Sequence, residues 1–506
     1  MRLKLKKIIR QWRSILVITP SAAGLVIIAN YLGLFQLLEW ATLDQFFRLR
    51  PREPIDSRIV IVTVDESDLT YTNQWPISDA VLTKLIEKLK AQQPRVIGLD
   101  IYRDLPVPPG NAELVKLFQS TPNLIGVEKV VGNTVAPPPT LSKLGQVAIA
   151  DLVLDSDGKV RRGLLSIRTD QGQTKLSLGT KIALIYLESH GIKLQMIDAK
   201  KKLFRLGKAK FVPFTGNDGA YVGANSGGYQ ILLNYRGSLQ NFQTISLQDI
   251  LSDRLPPNSM RDRIVLIGVT GSSFNDLFFT PYSSNPFGSP KRTPGVVIHA
   301  NLTSQILSGA LDDRPFIKSW SEPSEIFWIL VWSFIGATGS WKLLVAKQFL
   351  DNFSLKWVSF SIIILVVGGS LVGGSYLAFL ASWWLPVISP LAALITSAIA
   401  IAGYHTIELQ RQKNDLEILL ETATAHYDTV TAELEYKAEE TARESERKLA
   451  QFLEAVPIGV AVVDSNGEIY YLNYAAQQLL GKSIIPHTTI EKFTEIYQLY
   501  IAGTSQ

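Results

Sequence analysis

The chain has 506 residues, a formal net charge of +5 and 46% hydrophobic residues. Its mean hydropathy of +0.14 is high for a wholly soluble protein and places part of it in lipid. It contains no cysteine and only five scattered histidines, which excludes disulfides, thiol catalysis and Cys-based metal sites.

The first thirteen residues, MRLKLKKIIRQWR, carry six basic side chains and predict a cytoplasmic basic tail over 1–14. Residues 15–38, ILVITPSAAGLVIIANYLGLFQLL, hold no charge over 24 positions, enough at ~1.5 Å per residue to cross a ~30 Å hydrocarbon core. We expect an uncleaved transmembrane helix over 15–39, because a secretory signal has an apolar stretch of only about 7–15 residues and then a cleavage site. Arg48, Arg50 and Arg52 oppose this orientation weakly. Large translocated segments follow charge rules poorly.

Residues 40–322 read as an outward α/β domain. SRIVIVTVDESDL (57–69) is a strand ending in acid, ISDAVLTKLIEKLKAQQ (77–93) a helix capped by Ser or Asp, and PRVIGLDIYRD (94–104) a second strand. That order predicts a βαβ unit, and the unbroken apolar strands predict a mixed or parallel sheet covered on both faces. RIVLIGVTGSSFNDLFFTP (263–281) supplies a third buried strand, and GVVIHANLTSQILSG (295–309) follows as strand-to-helix. The glycines of 263–281 match neither a P-loop nor a dinucleotide fingerprint. Each of the three strands finishes beside a carboxylate: Asp65 and Glu66, Asp100, and Asp276. Open parallel sheets bind ligands beyond the carboxyl ends of their strands, so these acids with Thr280 form a candidate ligand site for an extracytoplasmic small molecule or ion, such as a cation or an amine. The competing reading is that they cap the helices that follow. His190 and His405 close apolar stretches and read as structural.

Nine separated pieces over roughly 43–312 now carry a resemblance: DQFFRLRP, VDESDL, QWPISDAVLTKLIEKL, VIGLDI, DSDGKVRRGLL, SLGTKIA, LLNYRG, IVLIGVTGSSFNDLFFTP and PGVVIHAN. In that order they resemble an extracytoplasmic sensory domain of the CHASE family, second type. The resemblance implies a receptor input module with one span before it and usually three after, as found on histidine kinases, nucleotide cyclases and cyclic-di-nucleotide enzymes. It implies no ligand chemistry. One departure is QWPISD, where the resemblance leads us to expect an Arg soon after Trp-Pro; Asp79 would weaken an anion contact there.

Three further spans are expected at 324–346, 357–380 and 384–407. Residues 357–407 contain no Asp, Glu, Lys or Arg, and SWWLPVISP (382–390) makes the turn, with Pro386 and Pro390 against a continuous helix and Trp383 and Trp384 suited to a membrane–water interface. The loop 342–356, with Lys342, Lys347 and Lys356 against Asp351, reads as cytoplasmic. Both termini are then cytoplasmic. Uncharged spans also argue against a transporter.

Residues 408–450 have no Pro or Gly and predict a long helix. Leu416, Leu420, Ala423, Tyr427, Val430 and Leu434 alternate four and three apart, a heptad seam for a parallel dimer. Ala438, Ala442, Ser445, Leu449 and Phe452 continue it after a one-residue shift of phase, which suits two nearly equal packings. His426 lies outside any phosphoacceptor pattern. FLEAVPIGVAVVDSNGEIYYLNYAAQQLLG (452–481) predicts two strands about Asn-Gly and then a helix. Gly459, Asp464, Gly467, Ile469, Asn473, Ala475 and Gly481 make it similar to the start of a PAS domain, with 451–506 too short for a complete one.

The sequence therefore predicts an α/β extracytoplasmic domain, four transmembrane helices, a dimeric coiled-coil helix and an incomplete α+β PAS domain, in a homodimer of the bacterial cytoplasmic membrane. The expected function is a signal-transduction sensor feeding an output module, foremost a sensor histidine kinase. The alternatives are the input half of a nucleotide or cyclic-di-nucleotide cyclase, an extracytoplasmic metal-dependent hydrolase or a passive scaffold. No catalytic residue, metal ligand or cofactor is identified, membrane lipid is an expected partner, and the basic residues show no nucleic-acid footprint.

Overall fold

The structure, a computed structural model, describes residues 2–169, 171–283, 289–346 and 353–497. They fall into two compact units, 1–405 and 406–506. The first unit opens with helix α1 (Arg2–Tyr31) and, after a turn over 32–35, helix α2 (Gln36–Leu49). That turn shortens the span expected over 15–39. Gly33 takes a left-handed φ of 74°, which side chains with a Cβ resist, and the apolar residues beyond it serve the domain. Trp40, Leu43, Phe46 and Phe47 share one face of α2 at helical spacing and are buried in its core.

Six parallel strands form the central sheet: β1 (Ile59–Val64), β2 (Val96–Asp100), β3 (Leu124–Glu128), β4 (Val147–Ile149), β5 (Gln243–Ser246) and β6 (Ile264–Val269). Their order is β5-β1-β6-β2-β3-β4. The βαβ unit of 57–104 is present, but β6 inserts between its two strands, pairing Ile61 with Leu266 and Leu266 with Gly98. The helices between the strands include α3 (Glu66–Thr72), α4 (Asp79–Ala91), α5 (Asn111–Gln119) and α6 (Leu178–Glu188), and α7 (Gly295–Asp312) follows the last strand of the sheet. Ser78 starts α4, its Oγ accepting the Val81 amide at 3.3 Å.

Alternation along the strands builds two cores. Ile59, Ile61, Val96 and Leu266 pack with α2, α6 and α7. Val60, Val62, Ile97, Leu99 and Val265 pack with α4 and α5 on the other face. Residues 295–309 are helical throughout, so the expected strand-to-helix reading is corrected; only Thr293–Pro294 pair as a short strand, against Leu277–Phe278. All of α7 except its last two residues is buried. A helix covered all round has no polar face to reveal its period. It lies close on the sheet because Gly268 leaves room: a Cβ there would stand 2.5 Å from Val296 Cβ.

Helices α8 (Glu322–Ala346), α9 (Phe353–Leu380) and α10 (Ile388–Ala455) follow. Among the described residues, three helices are long and apolar enough to cross a membrane, at Trp12–Tyr31, Glu322–Leu344 and Ile388–Ala455, and α9 has a shorter apolar stretch, Ile364–Leu380. Ser333 Oγ donates to the Thr19 carbonyl at 2.9 Å, joining α8 to α1. The turn after α9 docks on the domain as well as suiting an interface: Trp384 is buried against Tyr221 and Gly219, and Trp383–Trp384 pair with Lys318–Ser319. Pro390 sits in the first turn of α10, where a proline has no helical hydrogen bond to lose. Part of the lysine-bearing loop, 347–352, lies outside the described residues.

In the second unit α10 carries its seam outward, with Leu416, Leu420, Tyr427 and Leu434 57–69% exposed. The expected hairpin is present as β7 (Ala461–Val463) and β8 (Ile469–Leu472), followed by α11 (Tyr474–Leu480). Buried Asn473 knots this corner. Its Oδ1 accepts the amides of Ala476 at 2.9 Å and Val460 at 2.8 Å, and its Nδ2 donates to the carbonyls of Leu453 and Ile458 at 2.9 Å. Residues 498–506, the end of the expected PAS segment, lie outside the described residues.

The close seat of α7 yields a stability test. Gly268→Ala should lower stability by roughly 1–3 kcal/mol through overpacking, whereas Gly339→Ala, with nothing within 4 Å of its added Cβ, should be neutral or stabilising. Denaturation of the two variants side by side checks this, and equal curves would refute the packing argument.

Candidate functional site

The carboxyl ends of β1, β6 and β2 lie side by side, yet the acids there turn to different partners. Asp65 caps α3: its Oδ1 accepts the amides of Ser67 at 2.9 Å and Asp68 at 3.2 Å, while Asp68 Oδ2 accepts the Asp65 amide at 3.0 Å. The capping alternative holds for this residue. Glu66 Oε1 accepts the Ser273 amide and Ser272 Oγ, each at 3.0 Å. The Ser273 amide in particular holds its carboxyl below the usual range. The glycine turn after β6 therefore does cradle an anion, the protein's own Glu66. Thr280 is elsewhere and engaged: it is buried, its amide donates to Ser283 Oγ at 2.9 Å, and its Oγ1 lies 3.0 Å from Thr293 Oγ1.

Asp100 and Asp276 converge instead with His299, which sequence reasoning missed. The Asp100 side chain is 6% exposed, and its Oδ1 lies 3.9 Å from Nε2 of buried His299 in the first turns of α7. Asp100 Oδ2 and His299 Nδ1 are buried without hydrogen-bond partners. The Asp276 carboxylate packs on Gly295 at the start of α7, where a Cβ would stand 2.5 Å from its Oδ2; a helix N-terminus favours that charge. Burial pushes Asp100 up to about 7, burial and the Asp100 charge push Asp276 up to about 7, and burial drives His299 down to about 4. Tyr102 is raised by burial and then by Asp100, Asp151 and Asp276. The cluster can bind or release protons near neutrality. Among the described residues no group of three His, Asp or Glu is arranged to hold a metal ion.

A second set of charges ties the domain to α2. Arg161 is buried and its guanidinium Nε meets Asp44 Oδ1 at 2.8 Å, Nη1 meets Asp155 Oδ2 at 3.0 Å, and Nη2 meets Asp157 Oδ2 at 2.7 Å. It lies 5.1 Å from the Trp40 ring centroid. Burial alone would lower its pKa, but hydrogen bonds to Asp157 and Asp44 more than reverse this. Asp44 also takes Lys159 at 2.6 Å. Two of the sequence pieces, DQFFRLRP and DSDGKVRRGLL, thus meet through opposite charges.

One turn earlier, Glu39 is fully buried and reaches α10. Its carboxylate accepts the amides of Val387 at 2.9 Å, Ile388 at 2.8 Å and Ser389 at 3.0 Å. These are orphan N–H groups of a helix start, and a carboxylate there satisfies both their hydrogen bonds and the helix dipole. The signal for Glu39 was a charge ending an apolar run. Asp79 is the counter-charge of buried Arg103, whose Nε lies 3.7 Å from its Oδ1, and its Oδ2 accepts Asn111 Nδ2 at 2.9 Å. His190 stacks on Tyr186, and His405 meets Trp341 edge-on.

A family model described as the CHASE2 domain matches residues 21–338, and one described as a PAS domain matches 447–503. No curated protein and no solved structure matches the chain.

Two outcomes follow from these geometries. Both raised acids bind protons more tightly folded than unfolded, so their contribution to stability is lost as pH climbs from about 4 to about 7; His299 acts oppositely below about 6.5. Asp100→Asn with Asp276→Asn should therefore gain on wild type across that window, by up to about 1.4 kcal/mol per acid per pH unit. Melting curves at stepped pH test it, and a pH-independent difference would contradict it. Arg161→Ala should cost ~3–5 kcal/mol by stranding buried carboxylates, with Arg161→Lys recovering only part because it loses the forked geometry. Wild-type melting of the alanine variant would refute the network's role.

Proposed function

The chain belongs to the CHASE2 domain family, and from that membership we propose that it is the input half of a transmembrane receptor in the bacterial cytoplasmic membrane. CHASE2 is an extracytoplasmic sensory domain, and its presence with a PAS domain marks a sensory signal-transduction protein. In this reading four helices cross the membrane, both termini are cytoplasmic, residues 40–322 face outward, and two copies pair along the 408–450 seam. An extracytoplasmic small molecule or ion biases the domain, and the PAS segment passes the change to an output module, which we take to be a sensor histidine kinase.

The observation that carries the proposal is the Glu39 contact. Glu39 grips the first amides of α10, while Asp44, on the same short helix, is held by Arg161. A shift of the domain that carries α2 with it would then pull on a helix that is continuous from Ile388 to Ala455. A coupling of ~1–3 kcal/mol between the two ends would suffice. Of the expected ligand residues, Asp100, beside His299, keeps an unmatched polar atom and with Asp276 supports a polar ligand or a proton there, whereas Asp65, Glu66 and Thr280 have structural bonds.

The chain's lack of cysteine makes single-cysteine cross-linking the natural test. Leu416→Cys, Leu420→Cys, Tyr427→Cys and Leu434→Cys should cross-link between copies, Ala425→Cys and Ala432→Cys should not, and adding Glu39→Gln should change the efficiencies. Uniform or absent cross-linking would refute the dimeric seam, and indifference to Glu39→Gln would refute the coupling.

A further inference from the structure

We propose that the pocket between the end of α1 and the start of α8 binds a small organic ammonium group, with Glu325 as its counter-charge. The inference rests on the sensor reading for its outward location and adds a ligand class and a second site, apart from Asp100 and Asp276.

A cavity of about 90 Å³ is lined by Ile27, Asn30 and Tyr31, by Glu322 and Glu325, and by Tyr221. One water-sized group needs ~10–15 Å³, so several fit. Glu325 is only 8% exposed, and its Oε1 is buried with no hydrogen-bond partner. The charges acting on it are Glu39, Glu322 and Asp218, all negative. A buried carboxylate among like charges is strongly unfavourable until a cation or proton joins it.

The walls select the kind of cation. Two tyrosines, Tyr31 and Tyr221, and three isoleucines, Ile27, Ile326 and Ile329, line the pocket with the carboxylates; aromatic rings attract organic cations, and apolar side chains accept their carbon. A hard divalent ion would want six or so oxygen ligands, and among the described residues no set of three suits a metal. An ammonium group bearing a short carbon chain fits both features. Its arrival would reach the coupling elements directly, because Tyr221 Oη donates to Asp155 at 2.8 Å, Asp155 pairs with Arg161 at 3.0 Å, and Glu39 acts on Glu325. The group has two sources, a free amine outside the cell or the ethanolamine headgroup of a neighbouring lipid.

The full chain in phosphatidylglycerol nanodiscs, titrated with ethylammonium chloride against sodium chloride of equal ionic strength, separates these. A free-amine site predicts a rise in Tm of roughly 2–4 °C at saturation, abolished in Glu325→Gln and reduced in Glu322→Gln. A headgroup site predicts the same rise on adding phosphatidylethanolamine to the nanodiscs, again lost in Glu325→Gln, with no further effect of ethylammonium. No shift in either arm, a shift that sodium matches, or one that Glu325→Gln retains overturns the proposal. If Glu325→Gln does not fold, Glu322→Gln at an exposed position decides, with an undiminished shift counting against the site. The readout is occupancy, so failure here leaves the cross-linking test of the sensor reading untouched.

Discussion

A carboxylate at the start of a helix organises this protein. Glu39 directly accepts three successive amides, from Val387 to Ser389. Charge-assisted hydrogen bonds of this kind are about twice as strong as neutral ones, and the burial that makes them strong also makes their loss costly. The start of α10 is therefore held in place by α2. Because α10 runs on to Ala455, the contact ties the longest element of the chain to the helix that follows α1.

The second constraint is the buried guanidinium of Arg161. It faces Asp44, Asp155 and Asp157 at once, an arrangement that satisfies its donors on several sides and leaves α2 little freedom against the domain. Such networks are weak evidence for stability taken alone, since apolar packing can match them. Their value is geometric: each partner must be placed within hydrogen-bond reach or a charge is stranded. Glu39 and Asp44 lie on one short helix, so a fixed network on one side and a fixed helix start on the other leave α2 as a rigid lever. Asp100 and Asp276 converge with His299 beside α7, where Asp100 Oδ2 and His299 Nδ1 carry no hydrogen-bond partner.

Much of this was legible in the residues. Largely apolar runs rich in β-branched residues at 59–64, 96–100 and 264–269 pointed to a covered, mixed or parallel sheet, and the Pro- and Gly-free stretch after 408 pointed to a helix. Asn-Gly at 466–467 located the hairpin. What one-dimensional pattern does not encode is adjacency. That β6 lies between β1 and β2 depends on partners far along the chain, and with it the fate of the strand-end acids: Asp65 went to its own helix, Glu66 to the next loop, and Asp100 to a histidine on α7. His299 was hidden because a helix buried on every side shows no polar stripe. Glu39 was hidden because an apolar run with a charge at its end reads as the edge of a membrane span, when a glycine turn at Gly33 had already ended the helix.

A Glu39 contact that holds residues 387–389 and restrains α10 beyond them has a direct readout. Hydrogen exchange of the full chain, comparing wild type with Glu39→Ala, measures this at the amides concerned and beyond them. Exchange should be slow at 387–389 in wild type and faster there in the variant, with a change over 408–450 as well. Release of 387–389 with no change over 408–450 would show a local cap and nothing more.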